Sequence, residues 1–241
     1  MKLFIQIYFS FYFIVISSHA NEDYISKNEL EKIIEEYLLE NPEVLIESLE
    51  NYRNKQEAQF EENKRKFITS FYKNKKHETL PYAGKSDGPI IITEFIDYNC
   101  GYCKKTLLSI NELLKKYKNL KVVFIDFPIL SESSYSAAQA AIAAYKQNAY
   151  FKYHSALLNS NKKISNSYLL ELAKNFNLDL VKFEKDMKSK NTANLIENNI
   201  KFARQLNIRG TPTFIINGKL YAGALELDKL KALIEKALSE S

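Results

Sequence analysis

The sequence predicts an α/β protein: a small mixed sheet covered by helices on both faces, with a helical insertion, preceded by an N-terminal helical extension. Three observations predict it. A β-branched and aromatic run, Ile-Ile-Ile-Thr-Glu-Phe-Ile at residues 90–96, reads as a buried strand and leads through Cys100-Gly101-Tyr102-Cys103 into an apolar-periodic helix carrying Leu107, Leu108, Ile110, Leu113 and Leu114. A second buried strand, 120–127, closes at Pro128, and about eighty residues without strand patterning follow. The strand pattern then returns at Thr213-Phe-Ile-Ile, and Asn217-Gly218 is a type I′ hairpin signal.

Each element has its local reason. Residues 1–20 read as a signal peptide: Lys2 is the positive start, residues 3–16 are apolar and aromatic-rich, and Ser18-His19-Ala20 fits a small-x-small cleavage site, so cleavage is expected after Ala20. The apolar run is shorter than the roughly 20 residues that span a bilayer. Residues 21–73 form a helical region. Ser26 and Glu29 make a capping box ahead of the stripe Leu30, Ile33, Ile34, Tyr37 and Leu38. Asn41-Pro42 ends that helix and starts a longer one carrying Leu45, Leu49, Tyr52, Phe60, Phe67 and Ile68. An apolar stripe with nothing obvious in the chain to cover it points either to a homo-oligomer built through residues 26–72 or to two helices folded back on the main domain. Residues 73–88 read as a linker, and residues 74–241 as the catalytic domain. Its helical insert covers about 133–207, with Ser165 and Asp179 as caps. A last amphipathic helix carries Leu227, Leu230, Leu233, Ile234 and Leu238.

The chain holds 34 Lys and Arg against 29 Asp and Glu, for a formal charge of +5. The lysines are spread and matched by glutamates, so no basic motif argues for nucleic acid. No phosphate-binding glycine loop or repeat is present, and no cofactor is expected. The two cysteines of the whole chain form the one Cys-x-x-Cys. A bridge closing so short a loop constrains the unfolded chain by only about 2 kcal/mol, which makes stapling a poor explanation. At a helix start, unpaired N–H groups and the helix dipole stabilise an anion, here the Cys100 thiolate. An ordinary thiol is about 3% ionised at pH 7, whereas one with a pKa near 5 is almost wholly ionised. Two thiolates could instead hold Cu(I) or Zn(II), but beyond them the mature chain offers only His77 and His154, neither with finger spacing. No metal site is therefore expected.

Thr-Glu-Phe-Ile-Asp-Tyr-Asn-Cys-Gly-Tyr-Cys-Lys-Lys, Phe-Pro-Ile-Leu at 127–130 and Gly-Thr-Pro-Thr-Phe-Ile-Ile-Asn-Gly at 210–218, in that order around a helical insert, resemble the DsbA-type branch of the thioredoxin superfamily. The stretch 33–56 is similar to the N-terminal helices of ScsC-like members, in which such helices mediate oligomers. The resemblance implies a thioredoxin-like fold and a periplasmic thiol:disulfide oxidoreductase, an oxidase or an oligomeric isomerase. It makes Cys100 the attacking thiolate, Cys103 the resolving thiol, Pro212 a cis-proline facing the disulfide, and Thr211 the neighbour that pairs with substrate backbone. It likens Glu94 to the buried acid that takes the proton from Cys103. The partners implied are exported client proteins and a membrane redox partner that recycles the pair. DsbA itself carries Pro-His where Gly101-Tyr102 stands here, and the missing histidine predicts a less stabilised thiolate and a weaker oxidant.

Overall fold

The computed structural model describes residues 25–239, so the expected leader and its cleavage after Ala20 lie outside the described residues. The chain divides between Gln56 and Glu57 into two compact units. In the first, helix α1 (Lys27–Glu40) starts with the expected capping box: Ser26 Oγ accepts from the Glu29 N–H at 3.3 Å, and Glu29 Oε2 accepts from the Ser26 N–H at 3.0 Å. Asn41 closes the helix on the Tyr37 carbonyl, and Pro42 opens α2 (Pro42–Lys73). No α1 residue is buried; Leu30, Ile33, Ile34 and Tyr37 are each about half exposed. Leu45, Leu49 and Tyr52 of α2 are similarly bare.

Ile68 and Phe71, near the end of α2, are buried with Phe95, Ile125, Phe127 and Ile215, so the helix end belongs to the core of the second unit. That core is built on a five-stranded sheet in the order β1-β3-β2-β4-β5: β1 (Tyr82–Gly84), β2 (Ile90–Ile96), β3 (Leu120–Asp126), β4 (Thr213–Ile216) and β5 (Lys219–Ala222). β2 and β3 run parallel, from Ile90 opposite Leu120 to Ile96 opposite Asp126, and the other pairs are antiparallel. The crossover between the parallel strands is α3 (Gly101–Lys116), which buries Cys103, Thr106, Leu107, Ile110 and Leu113.

Between β3 and β4 lie α4 (Glu132–Tyr145), α5 (Tyr150–Asn159), α6 (Asn166–Asn175), α7 (Leu180–Met187) and α8 (Lys190–Gln205), and α9 (Leu227–Ser239) ends the described chain. Ser131, Ser165, Asp179 and Ser189 cap four of the inserted helices with side-chain acceptors. One sheet face buries Ile92, Ile96, Val122, Phe124, Phe214 and Ile216 with residues of α3, α5 and α9. The other buries Phe95, Val123, Ile125 and Ile215 with Ala203 and Leu206 around the end of α8. The hairpin is as expected: Asn217 and Gly218 both have positive φ, at 47° and 71°.

The expected linker at 73–88 is partly ordered. It holds a 3₁₀ turn, Lys76–Thr79, and the edge strand β1, whose three residues are too few to show a period. Gly84 ends that strand at φ 88°, and a Cβ there would stand 2.3 Å from the Leu120 carbonyl oxygen. Both terms act against any side chain. Gly84→Ala is therefore expected to destabilise the protein by about 1–3 kcal/mol, read as a lower urea midpoint at constant slope; an unaltered midpoint contradicts this placement.

Candidate active site

β2 runs into the turn Asp97-Tyr98-Asn99, from which Cys100 caps α3 at φ −85° and ψ 111°. Asp97 is 1% exposed yet fully satisfied. Its Oδ1 accepts from the Asn99 N–H at 2.8 Å and the Ser134 hydroxyl at 2.6 Å, and its Oδ2 from the N–H groups of Ile129 and Leu130 at 2.9 and 3.0 Å. Asn99 Nδ2 lies within 3.0 Å of the hydroxyls of Ser131, Ser133 and Ser134. These bonds lock the turn before the cysteines to the loop after β3. Sequence reasoning missed Asp97, although its place one residue past an apolar strand was the available signal.

Both cysteines are free thiols and both are buried, Cys103 almost completely. Cys100 Sγ lies 3.1 Å from the Thr211 carbonyl oxygen, so the β4 approach faces the first sulfur, and the Thr211–Pro212 peptide is cis. A hydrogen bond from the Cys103 thiol is the main reason that the Cys100 pKa falls to about 5. Burial opposes that fall; the Thr211 side chain and the backbone N–H groups of Cys103 and Tyr102 assist it. Cys103 is driven the other way, by burial first, then by its own hydrogen bond to Cys100 and by the Glu94 carboxyl. At neutral pH the pair thus holds one proton, on Cys103, aimed at an anionic Cys100.

Glu94 is 2% exposed, deep among the apolar side chains of β2, and pairs in register with Phe124 on one side and Phe214 on the other. Burial raises its pKa to about 8, the Thr106 hydrogen bond partly offsetting this and Cys100 adding to it. The Thr106 hydroxyl stands 2.8 Å from Glu94 Oε1 and 3.0 Å from the Cys103 carbonyl oxygen. One hydroxyl proton cannot serve both, so a protonated Glu94 donating to Thr106 satisfies all three groups. Thr106 also went unnoticed in the sequence; it is the polar residue on the buried stripe of α3, one turn after Cys103.

The five residues singled out in the sequence therefore come together around the start of α3. Beside them an open groove of about 320 Å³ is lined by Tyr102, Thr106, Thr211, Leu225 and Glu226, with Lys105 Nζ over the Tyr102 ring at 5.3 Å. Tyr102, Ile129 and Leu130 are exposed apolar side chains. His154 and His77 are buried in packing positions, and among the described residues no three His, Cys, Asp or Glu side chains converge as a metal site would require.

A five-stranded mixed sheet with an acidic and a buried cysteine at one helix start gives the fold and the site of a thioredoxin-like protein. The comparisons agree: a family model described as thioredoxin matches residues 76–236, and the chain belongs to that family. A second, described as the copper resistance protein ScsC N-terminal domain, matches residues 27–59. The Na(+)/H(+) antiporter NhaA 3 of Salinispora tropica is 29% identical over 160 residues, 66% of this chain but 24% of that protein, so the chain spans about a quarter of that relative's length. The "Probable disulfide bond formation protein D" of Bacillus anthracis is 28% identical over 186 residues, 70% of this chain and 85% of that protein. The crystal structure of the thiol-disulfide exchange protein alpha-DsbA2 from Wolbachia pipientis is similar with a TM-score of 0.65 at 29% identity, covering 72% of this chain and 96% of that one.

Two outcomes follow from these acidities. Removing the thiol donor in Cys103→Ala should move the Cys100 midpoint up from about 5, followed by ultraviolet thiolate absorbance; a midpoint that stays put contradicts the assigned cause. Glu94, its folded pKa raised from 4.5 to about 8, lends stability that is full below the lower value and fades as pH rises through the higher one. The urea midpoint of Glu94→Gln, relative to the parent protein, should therefore rise between pH 5 and pH 8; a pH-independent difference contradicts a buried, protonated Glu94.

Proposed function

We propose that this chain is an exported, periplasmic protein thiol:disulfide oxidoreductase that forms or rearranges disulfide bonds in other exported proteins through Cys100 and Cys103. The observation that carries the reading is the division of acidity at the start of α3, with Cys100 lowered to about 5 and Cys103 raised. In the oxidised protein a client thiolate attacks Cys100 Sγ, the intramolecular bond breaks, and Cys103 leaves with the electron pair and takes a proton from Glu94. A second client thiolate then attacks the client sulfur of the mixed disulfide. Cys100 departs as the thiolate that its surroundings stabilise, the client keeps the new disulfide, and the protein keeps two electrons. A membrane redox partner accepts those electrons and restores the pair. Run from the reduced state, Cys100 attacks a client disulfide and Cys103, its proton passing to the ionised fraction of Glu94 that a pKa of about 8 leaves available, resolves the adduct.

The Thr211 backbone beside Cys100 supports pairing with an extended client segment, and the apolar rim of Tyr102, Ile129 and Leu130 supports contact with unfolded clients. The leader read in residues 1–20 and the names of the disulfide-forming relatives support export and the reaction class. Cys103→Ala should accumulate client mixed disulfides at Cys100, visible on non-reducing gels, and Cys100→Ser should trap none. Equal trapping by both variants overturns the roles.

A second reading, an oligomeric isomerase, is favoured by one observation: the half-exposed stripe of Leu30, Ile33, Ile34 and Tyr37, inside the segment that matches the ScsC N-terminal domain. Copies of the chain would meet on that stripe and enclose their active sites. Deleting residues 21–56, which spares the buried Ile68 and Phe71, should leave simple dithiol oxidation intact while abolishing refolding of scrambled substrates. Full refolding activity in the truncated protein overturns the isomerase reading.

A further inference from the structure

Another concavity, formed without either cysteine, lies between the last turns of α2, the 3₁₀ turn at Lys76–Thr79 and one face of α8. Its volume of about 470 Å³ is in the range of small-molecule sites, and it shares no lining residue with the groove beside Cys100. The apolar part of its wall is Phe67 of α2 with Leu195 and Phe202 of α8. Phe202 stacks on the buried Phe71 at 4.6 Å and 18°, which ties that wall to the core, whereas Phe67 leaves 39% of its surface to solvent.

Asn199 is the residue of this wall that packing does not explain. It stands well inside α8, is 4% exposed, and its Nδ2 has no hydrogen-bond partner. Asparagine is a poor residue for a helix interior, and a buried donor without an acceptor costs more than the bond itself contributes. Positions that break local rules in this way are where function is expected. The charges add an independent constraint. Lys76 and Lys201 stand in the same wall with no carboxylate among its residues, and neither forms an ion pair among the described residues. Glu78, the acid beside this turn, is paired with Lys75 instead, at 3.4 Å. The main chain offers little to a peptide here, because Leu195 to Phe202 lie inside α8 and Phe67 to Phe71 inside α2, where helical hydrogen bonds occupy the backbone groups. A ligand at this place is recognised by side chains.

We propose that this cavity binds a small amphipathic carboxylate of the fatty-acid kind, its apolar body against Phe67, Leu195 and Phe202 and its head between Lys76, Lys201 and Asn199. One carboxylate oxygen accepts from Asn199 Nδ2, and the two ammonium groups neutralise the charge from the rim. Because such a ligand touches both α2 and α8, it holds the end of α2 in place and stabilises the folded state by mass action. The inference does not rest on the disulfide chemistry.

The test titrates the whole reduced protein with sodium decanoate, by calorimetry and by nitrogen-15 NMR with the side-chain amides assigned. One saturable site with a dissociation constant below about 1 mM is expected for a ligand of this size, and the Asn199 amide pair should shift as the site fills. Replacing both exposed lysines, Lys76→Gln with Lys201→Gln, should weaken decanoate by about tenfold or more, and Asn199→Leu should do the same. The alcohol 1-decanol, which keeps the body and lacks the charge, should bind about tenfold more weakly than decanoate. Absence of a saturable site, an Asn199 pair that does not move, undiminished affinity in the double lysine variant, or equal binding of decanol overturns the inference. Tighter binding of decyl phosphate than of decanoate assigns the cavity to a phosphate head and overturns it as well. Each of these results leaves the reading of Cys100 and Cys103 untouched.

Discussion

One proton held between two sulfurs organises this molecule. Burying Cys103 makes its ionisation unfavourable, so it stays a thiol and donates to Cys100, and that donation outweighs the burial of Cys100 itself. The same burial that makes one cysteine acidic makes the other inert until a base is near. The site therefore depends on keeping the first turn of α3 pressed against the sheet, and much of the surrounding structure serves that end. Leu107, Ile110 and Leu113 hold the helix down, and the four hydrogen bonds to Asp97 hold its entry.

The chemistry also explains an otherwise unfavourable core. A carboxyl at the centre of an apolar strand costs free energy unless it carries its proton, and Glu94 has one protein neighbour, the Thr106 hydroxyl, to satisfy it. On the proposed cycle, that arrangement would leave a weak acid beside a thiol that ionises in one half and is reprotonated in the other. A surface carboxylate in the ordinary range would be a much weaker base for so reluctant a thiol. With no histidine between the cysteines, a thiolate less stabilised than that of DsbA is expected; what lowers the Cys100 pKa here is the Cys103 thiol, the Thr211 side chain and two backbone N–H groups.

Much of this was legible in the sequence because it is local. Ile90 to Ile96, the Cys-x-x-Cys and the stripe on α3 are contiguous, and Asn217-Gly218 and Ser26-Glu29 carry their turn and cap geometry in their own side chains. What escaped was set by distant partners. β1 is three residues long and exists because β3 offers it an edge. Ile68 looked like a continuation of an unpartnered stripe, and only the sheet face behind Phe95 shows why that stripe ends in the core. Asp97 and Thr106 read as ordinary polar residues, since their roles come from backbone N–H groups and a carboxyl elsewhere in the chain.

The central claim, two sulfurs three positions apart with opposite acidities, is tested most directly in one sample. The reduced protein is alkylated with iodoacetamide for a fixed short time across pH 4 to 10, and each cysteine is quantified by peptide mass spectrometry. Cys100 should be modified with a midpoint near 5, and Cys103 should stay unmodified throughout. Equal labelling of the two, or a Cys100 midpoint in the range of an ordinary thiol, contradicts the account.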